Sequence, residues 1–139
     1  MATKMHKMLI DLISRKMGEK GYLPVAFDGK YYKCQDEIIN IPPKIGRHRP
    51  DAIGINLHTK NICIGEAKTI DDLKSQRTKE QLIDYSNIIG RTSKKQFELI
   101  IGIPLDGQTL LHQLLNSLGL DGQSNISCIV LPEELVEDV

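Results

Sequence analysis

Near the amino terminus apolar residues recur at helical spacing: Met5, Met8, Leu9, Leu12, Ile13 and Met17 fall at steps of three and four. A helix over residues 4–20 follows, with Lys4, Lys7, Arg15 and Lys16 off the stripe and Gly18 and Gly21 marking its end. Over 22–33 the pattern is mixed, and Asp28-Gly29 reads as a turn between Val25-Ala26-Phe27 and Tyr31-Tyr32. Glu37-Ile38-Ile39-Asn40-Ile41 reads as a strand stopped by Pro42-Pro43, since neither proline can donate to a ladder. Asp51, Ile53, Ile55 and Leu57 alternate, which predicts a second strand near 51–57. A third, over 62–68, joins it as a hairpin through His58-Thr59-Lys60-Asn61.

The charged stretch 71–91 carries Leu73, Leu82, Tyr85, Ile88 and Ile89; Asp71 and Asp72 suit the first turn of a helix and Gly90 its end. Phe97-Glu98-Leu99-Ile100-Ile101-Gly102-Ile103 is almost continuously apolar, the mark of a strand buried on both faces, closed by Pro104. Leu110, Leu111, Leu114, Leu115 and Leu118 form another helical stripe between Asp106 and Gly119. A last strand spans 126–131, followed by an acidic tail, 132–139, with room for one helical turn. The order is helix, three strands, helix, strand, helix, strand, an α/β arrangement. Its sheet is mixed, because the hairpin is antiparallel and the step from 62–68 to 97–103 is a right-handed parallel crossover. With 139 residues and no repeat or linker, the chain (1–139) reads as a single domain.

Composition changes this picture in three ways. There is no Trp and few other aromatics, so the core is aliphatic. Lys+Arg and Asp+Glu balance at 18 each, so nucleic-acid binding must come from a local patch rather than bulk charge. The strongest such patch is Lys44, Arg47, His48 and Arg49, and Arg91, Lys94 and Lys95 form a weaker one. Cys34, Cys63 and Cys128 are an odd number at wide spacing, read as reduced thiols serving as small hydrophobes. Asp11, Ser14 and Arg15 interrupt the first apolar stretch, and nothing else approaches the ~20 apolar residues of a membrane span. A soluble, cytoplasmic protein is expected.

The chemistry gathers around the hairpin. A strand puts residues i and i+2 on one face, so Glu66 and Lys68 point the same way, and antiparallel pairing brings Asp51 to Glu66. Two carboxylates ~4 Å apart repel by about 1 kcal/mol in water and about 4 kcal/mol at an effective dielectric of about 20. A divalent cation converts that repulsion into a binding site, and Mg²⁺, with Mn²⁺ able to substitute, is suited to two carboxylates, the Ala67 carbonyl and several waters. Such a cation acidifies water and stabilises charge on a phosphate undergoing in-line attack. Lys68 would orient or deprotonate the water, or neutralise charge on the phosphoryl oxygens. The plainer readings are an Asp capping a turn after proline and a surface Glu–Lys pair. Ile62 and Ile64 argue against the second, because they mark this face as buried. No second His or Cys lies at ligand spacing from His48, so a zinc site is not expected.

Pro50-Asp51, fourteen residues, then Glu66-Ala67-Lys68 resembles the PD-(D/E)XK motif of the restriction-endonuclease-like nuclease superfamily. That superfamily's common core, helix, three strands, helix, strand, is the order read above. Gln81-Leu82-Ile83-Asp84-Tyr85 is similar to the QxxxY motif of the branch holding RecB-type nuclease domains and phage exonucleases. Gln81 and Tyr85 share a helix face, where an amide and a phenol would hold the lysine or a DNA phosphate. The resemblance covers roughly residues 5–103. It implies a Mg²⁺-dependent deoxyribonuclease of repair, recombination or restriction type, acting as a homodimer on DNA; an endonuclease is favoured, while the QxxxY resemblance points instead towards exonuclease or repair nucleases. Many members add an acid from the first helix; Asp11 and Glu19 are candidates here, as is Glu37, none in a distinctive context. The rival expectation is a catalytically silent nuclease-fold module that binds nucleic acid or a protein.

Overall fold

The structure, a computed structural model, describes residues 4–27 and 41–132. The expected turn at Asp28-Gly29, the body of the strand expected at 37–41, Cys34, Glu37 and the acidic tail beyond Pro132 lie outside the described residues.

Helix α1 (Lys4–Glu19) buries Leu9, Ile10, Ile13 and Met17 completely. It ends where the spacing of glycines predicts: Gly21 takes φ +89°, its N–H bonds Gly18, and the N–H of Tyr22 reaches back to Met17 at 2.9 Å. That is a Schellman cap, and it delivers the chain straight into strand β1 (Leu23–Phe27). The first strand is therefore 23–27, a piece read from the sequence only as a short extended segment; Ile41, the one described residue of the expected 37–41 strand, is not in a strand. Pro24 disguises β1. It is tolerated because β1 is an edge of the sheet and the pairing slips between Pro24 and Ala26.

Strands β2 (Ala52–Ile55), β3 (Ile62–Ala67), β4 (Glu98–Pro104) and β5 (Ile126–Leu131) complete a five-stranded mixed sheet in sequential order. The first three strands are antiparallel, and β3, β4 and β5 are parallel. The helix expected over 71–91 is divided into α2 (Ile70–Leu73) and α3 (Gln76–Ser86). Thr69 and Asp72 form a reciprocal capping box at the start of α2, and Ser75 accepts from the Thr78 N–H to begin α3. Gly90 does not cap α3, which stops at Asn87; its N–H bonds Lys95 in the following loop. A 3₁₀ turn (Leu105–Gly107) precedes α4 (Gln108–Ser117).

The sheet separates two aliphatic cores. On one side α1 packs on Ala52, Cys63, Ala67 and Ile100; on the other Ile64, Leu99, Ile101 and Ile103 meet Leu73, Leu82, Tyr85, Leu111 and Leu115. Alternation along β3 thus aims Cys63, Gly65 and Ala67 at α1, and Ile64, Glu66 and then Lys68 at α3. Cys63 is buried there, whereas Cys128, on the edge strand β5, is exposed against expectation. No helix among the described residues is long and apolar enough to cross a membrane.

Gly65 and Gly102 let α1 lie close on the sheet. A Cβ at Gly65 would stand 2.5 Å from Ile13 Cγ2 and 3.1 Å from Met17 Cε, both fully buried. Gly65→Ala is expected to destabilise the fold by about 1–3 kcal/mol, the usual range for overpacking, read as a lower urea midpoint at unchanged slope.

Candidate active site

The β2–β3 register pairs Ala52 with Gly65, so Asp51 and Glu66 are the next residues at the same end of the hairpin. Asp51 Oδ2 accepts from the Ala67 N–H at 2.9 Å and lies 3.6 Å from His6 Nε2 on α1. Glu66, only 2% exposed, is close enough to Asp51 for each carboxyl to shift the other's titration. Lys68 continues β3 by donating its N–H to Gly102 at 2.8 Å, and its ammonium, turned towards α3, donates to Gln81 Oε1. Lys68 and Gln81 are both buried.

Burial pushes the Glu66 carboxyl well above the usual carboxylate range; the Asp51 charge adds to this, while Lys68 and Arg77 oppose it. Burial also works to raise Asp51, but His6, Glu66 and the Ala67 amide outweigh it and leave Asp51 below its usual value. The two carboxyls are therefore driven apart as one interacting pair, Glu66 upward and Asp51 downward. Tyr85 lies fully buried behind Glu66, its phenol pushed up by burial and by the two acids. The approach of Tyr85 to Glu66 does not close into a hydrogen bond of ordinary geometry, and both Tyr85 OH and Glu66 Oε1 remain buried without a partner. Tyr85 thus sits in the core beside Glu66 and does not line the cleft that holds the acids.

These features fit a hard divalent cation. The raised Glu66 carboxyl and its orphaned Oε1 are features that a positive charge between the acids would relieve, and oxygen donors suit Mg²⁺ or Mn²⁺. Among the described residues no three His, Cys, Asp or Glu side chains form a ready-made cage. Asp51 and Glu66 would hold the ion, with the Ala67 carbonyl and water completing its shell.

The acids lie in a cleft of about 200 Å³ whose walls include His6, Arg49, Lys68, Arg77 and Gln81. Of the four basic residues expected to meet phosphate, Lys44 and Arg49 are exposed, and Arg49 reaches the cleft. Arg47 is also exposed but pairs with Asp84 at 2.9 Å, an exchangeable surface contact that holds the Asp84 carboxyl below its usual range. His48 differs: it is 4% exposed, bonds Asp84 at 2.8 Å and meets the Tyr85 ring edge-on, so it fastens the basic loop to α3 rather than facing solvent.

Neither acid proposed from the first helix reaches the cleft. Asp11 faces the outside of α1 beside Met8 and Arg15, and Glu19 pairs with Lys16. The α1 residue at the site is His6, and its only sequence signal is its place in the first turn of the helix. Arg77 was also overlooked, although it precedes Gln81 by four and Tyr85 by eight residues and so shares their helix face. Compared with protein-family models, curated proteins and solved structures, the chain matches none.

Proposed function

We propose that this protein is a divalent-metal-dependent nuclease that hydrolyses DNA phosphodiester bonds, an endonuclease acting as a homodimer whose two sites address two strands. The observation that carries this reading is the convergence of Asp51 and Glu66 in one cleft, beside a buried Lys68 whose ammonium is tethered by Gln81. The element order, helix, three strands, helices, strand, supports it, being that of the nuclease core which the Pro50-Asp51 and Glu66-Ala67-Lys68 motif resembles.

A bound Mg²⁺ supplies a Lewis-acid charge at the phosphate and an acidified water. Glu66 and Asp51 would hold the ion as carboxylates, and Asp51, held by His6 and the Ala67 amide, keeps its orientation. Gln81 fixes the Lys68 ammonium, which has further N–H donors for the attacking water or the phosphoryl oxygens. Arg49 and Arg77 take the flanking phosphates along the cleft wall.

The test is incubation with supercoiled circular, linear and four-way-junction DNA, with Mg²⁺ and with EDTA. Nicking of circles in Mg²⁺ alone is expected. Degradation of linear DNA with circles untouched would replace the endonuclease by an exonuclease, and DNA bound but uncut would favour the silent module. Arg77→Ala is expected to weaken DNA binding in EDTA and to reduce the slope of log affinity against log salt by about one, with Mg²⁺ affinity little changed. Fluorescence anisotropy over a salt series measures it.

A further inference from the structure

A second polar cleft, of about 370 Å³, opens at the other end of the sheet, beside the C-terminus of α1 and the starts of β3 and β4. It lies at the opposite end of β3 from Glu66 and shares no residue with the acidic cleft. Its walls carry polar groups whose hydrogen bonding the fold leaves incomplete.

Asn125 is 6% exposed and spends both amide hydrogens on Ser86 and Phe97 carbonyls, each at 3.0 Å. These two bonds fix the orientation of the amide, and its Oδ1 is left buried with no partner. Glu98 Oε2 has an ion-pair contact with Lys20 at 3.8 Å but accepts no hydrogen bond. Both are acceptors lacking a donor. Tyr22 shows the reverse. Its hydroxyl accepts from Asn61 Nδ2 at 3.1 Å, and Asn61 is itself saturated by Gln96 and Ser93, which leaves the phenolic hydrogen to donate. Burial, aided by Glu98, holds that phenol above its ordinary value, so it stays a donor through neutral pH. Lys20 and the exposed Lys95 add positive charge to the same walls.

We propose that this cleft binds a small anion bearing an amine, the amine meeting Asn125 Oδ1 and Glu98 and the anionic group meeting Tyr22, Lys20 and Lys95. Amino-bearing nucleotides and free α-amino acids share this chemistry. The site is independent of the nuclease reading and stands or falls without it.

The experiment is thermal melting and calorimetric titration of the full chain with millimolar AMP, purine riboside 5′-monophosphate, glutamate and glutarate. AMP or glutamate is expected to raise the melting temperature by several degrees, and its amine-free counterpart to do markedly less. Preference for AMP identifies a nucleotide site and preference for glutamate an amino-acid site. Lys95→Ala and Glu98→Gln, each melting near wild type without ligand, are expected to weaken binding tenfold or more. No shift with any of the four compounds would overturn the proposal. So would equal binding with and without the amine, or affinity unchanged in both variants.

Discussion

Lys68→Met is expected to leave a folded protein that still binds DNA but hydrolyses it about 10²–10³-fold more slowly, the usual loss when one preorganised group that stabilises transition-state charge is removed. Methionine keeps the length of the chain and suits a buried position, so the fold should tolerate it. What disappears is an ammonium held against Gln81 at the mouth of the acid pair. Single-turnover rates at saturating protein isolate this step from binding. Gln81→Ala should reproduce a part of the loss, because it frees the ammonium without removing it.

Glu66→Gln should have an effect as large on cleavage, with the opposite sign on stability. An amide in place of Glu66 halves the charge of the metal-binding pair, so Mg²⁺ binding should fall below detection and cleavage with it. In the wild type, Glu66 binds its proton more tightly when folded than when unfolded, because burial and Asp51 raise it. The folded protein thus loses stability as pH rises from the ordinary carboxyl range up to the raised value, and the loss is complete above it. The glutamine variant escapes this loss. It should melt above the wild type at neutral pH without metal, the gap shrinking on acidification into the ordinary carboxyl range. Below the raised value, Mg²⁺ should also bind the wild type more tightly with each step up in pH and expel a proton, seen as a buffer-dependent heat in calorimetry. A functional group that destabilises its own fold is the expected signature of a site built for a ligand.

The hairpin was legible in the sequence because alternation alone determines which face each residue takes. Once Ile62 and Ile64 are assigned to the core, Glu66 and Lys68 must follow them towards α3. The helix face shared by Gln81 and Tyr85 was legible for the same reason, at a period of 3.6. Strand β1 was not, because an edge strand accepts the proline that a central one excludes, and Pro24 conceals the alternation. The break between α2 and α3 depends on the Ser75 cap, one hydroxyl in a stretch whose charge pattern runs through without interruption. His6 and His48 were illegible for a further reason. Each is placed by a partner far along the chain, Asp51 for one and Asp84 for the other, and no local pattern records such pairing.

Asp51 and Glu66 are proposed to make, together, a metal-activated phosphodiesterase site. Hydrolysis of one labelled DNA substrate by wild type and by Asp51→Asn, purified alike and compared in Mg²⁺ and in EDTA, tests it most directly. Cleavage by the wild type in Mg²⁺ alone is expected, and none by a variant whose circular dichroism matches wild type. Equal cleavage by both proteins, or cleavage by the wild type that survives EDTA, would contradict it.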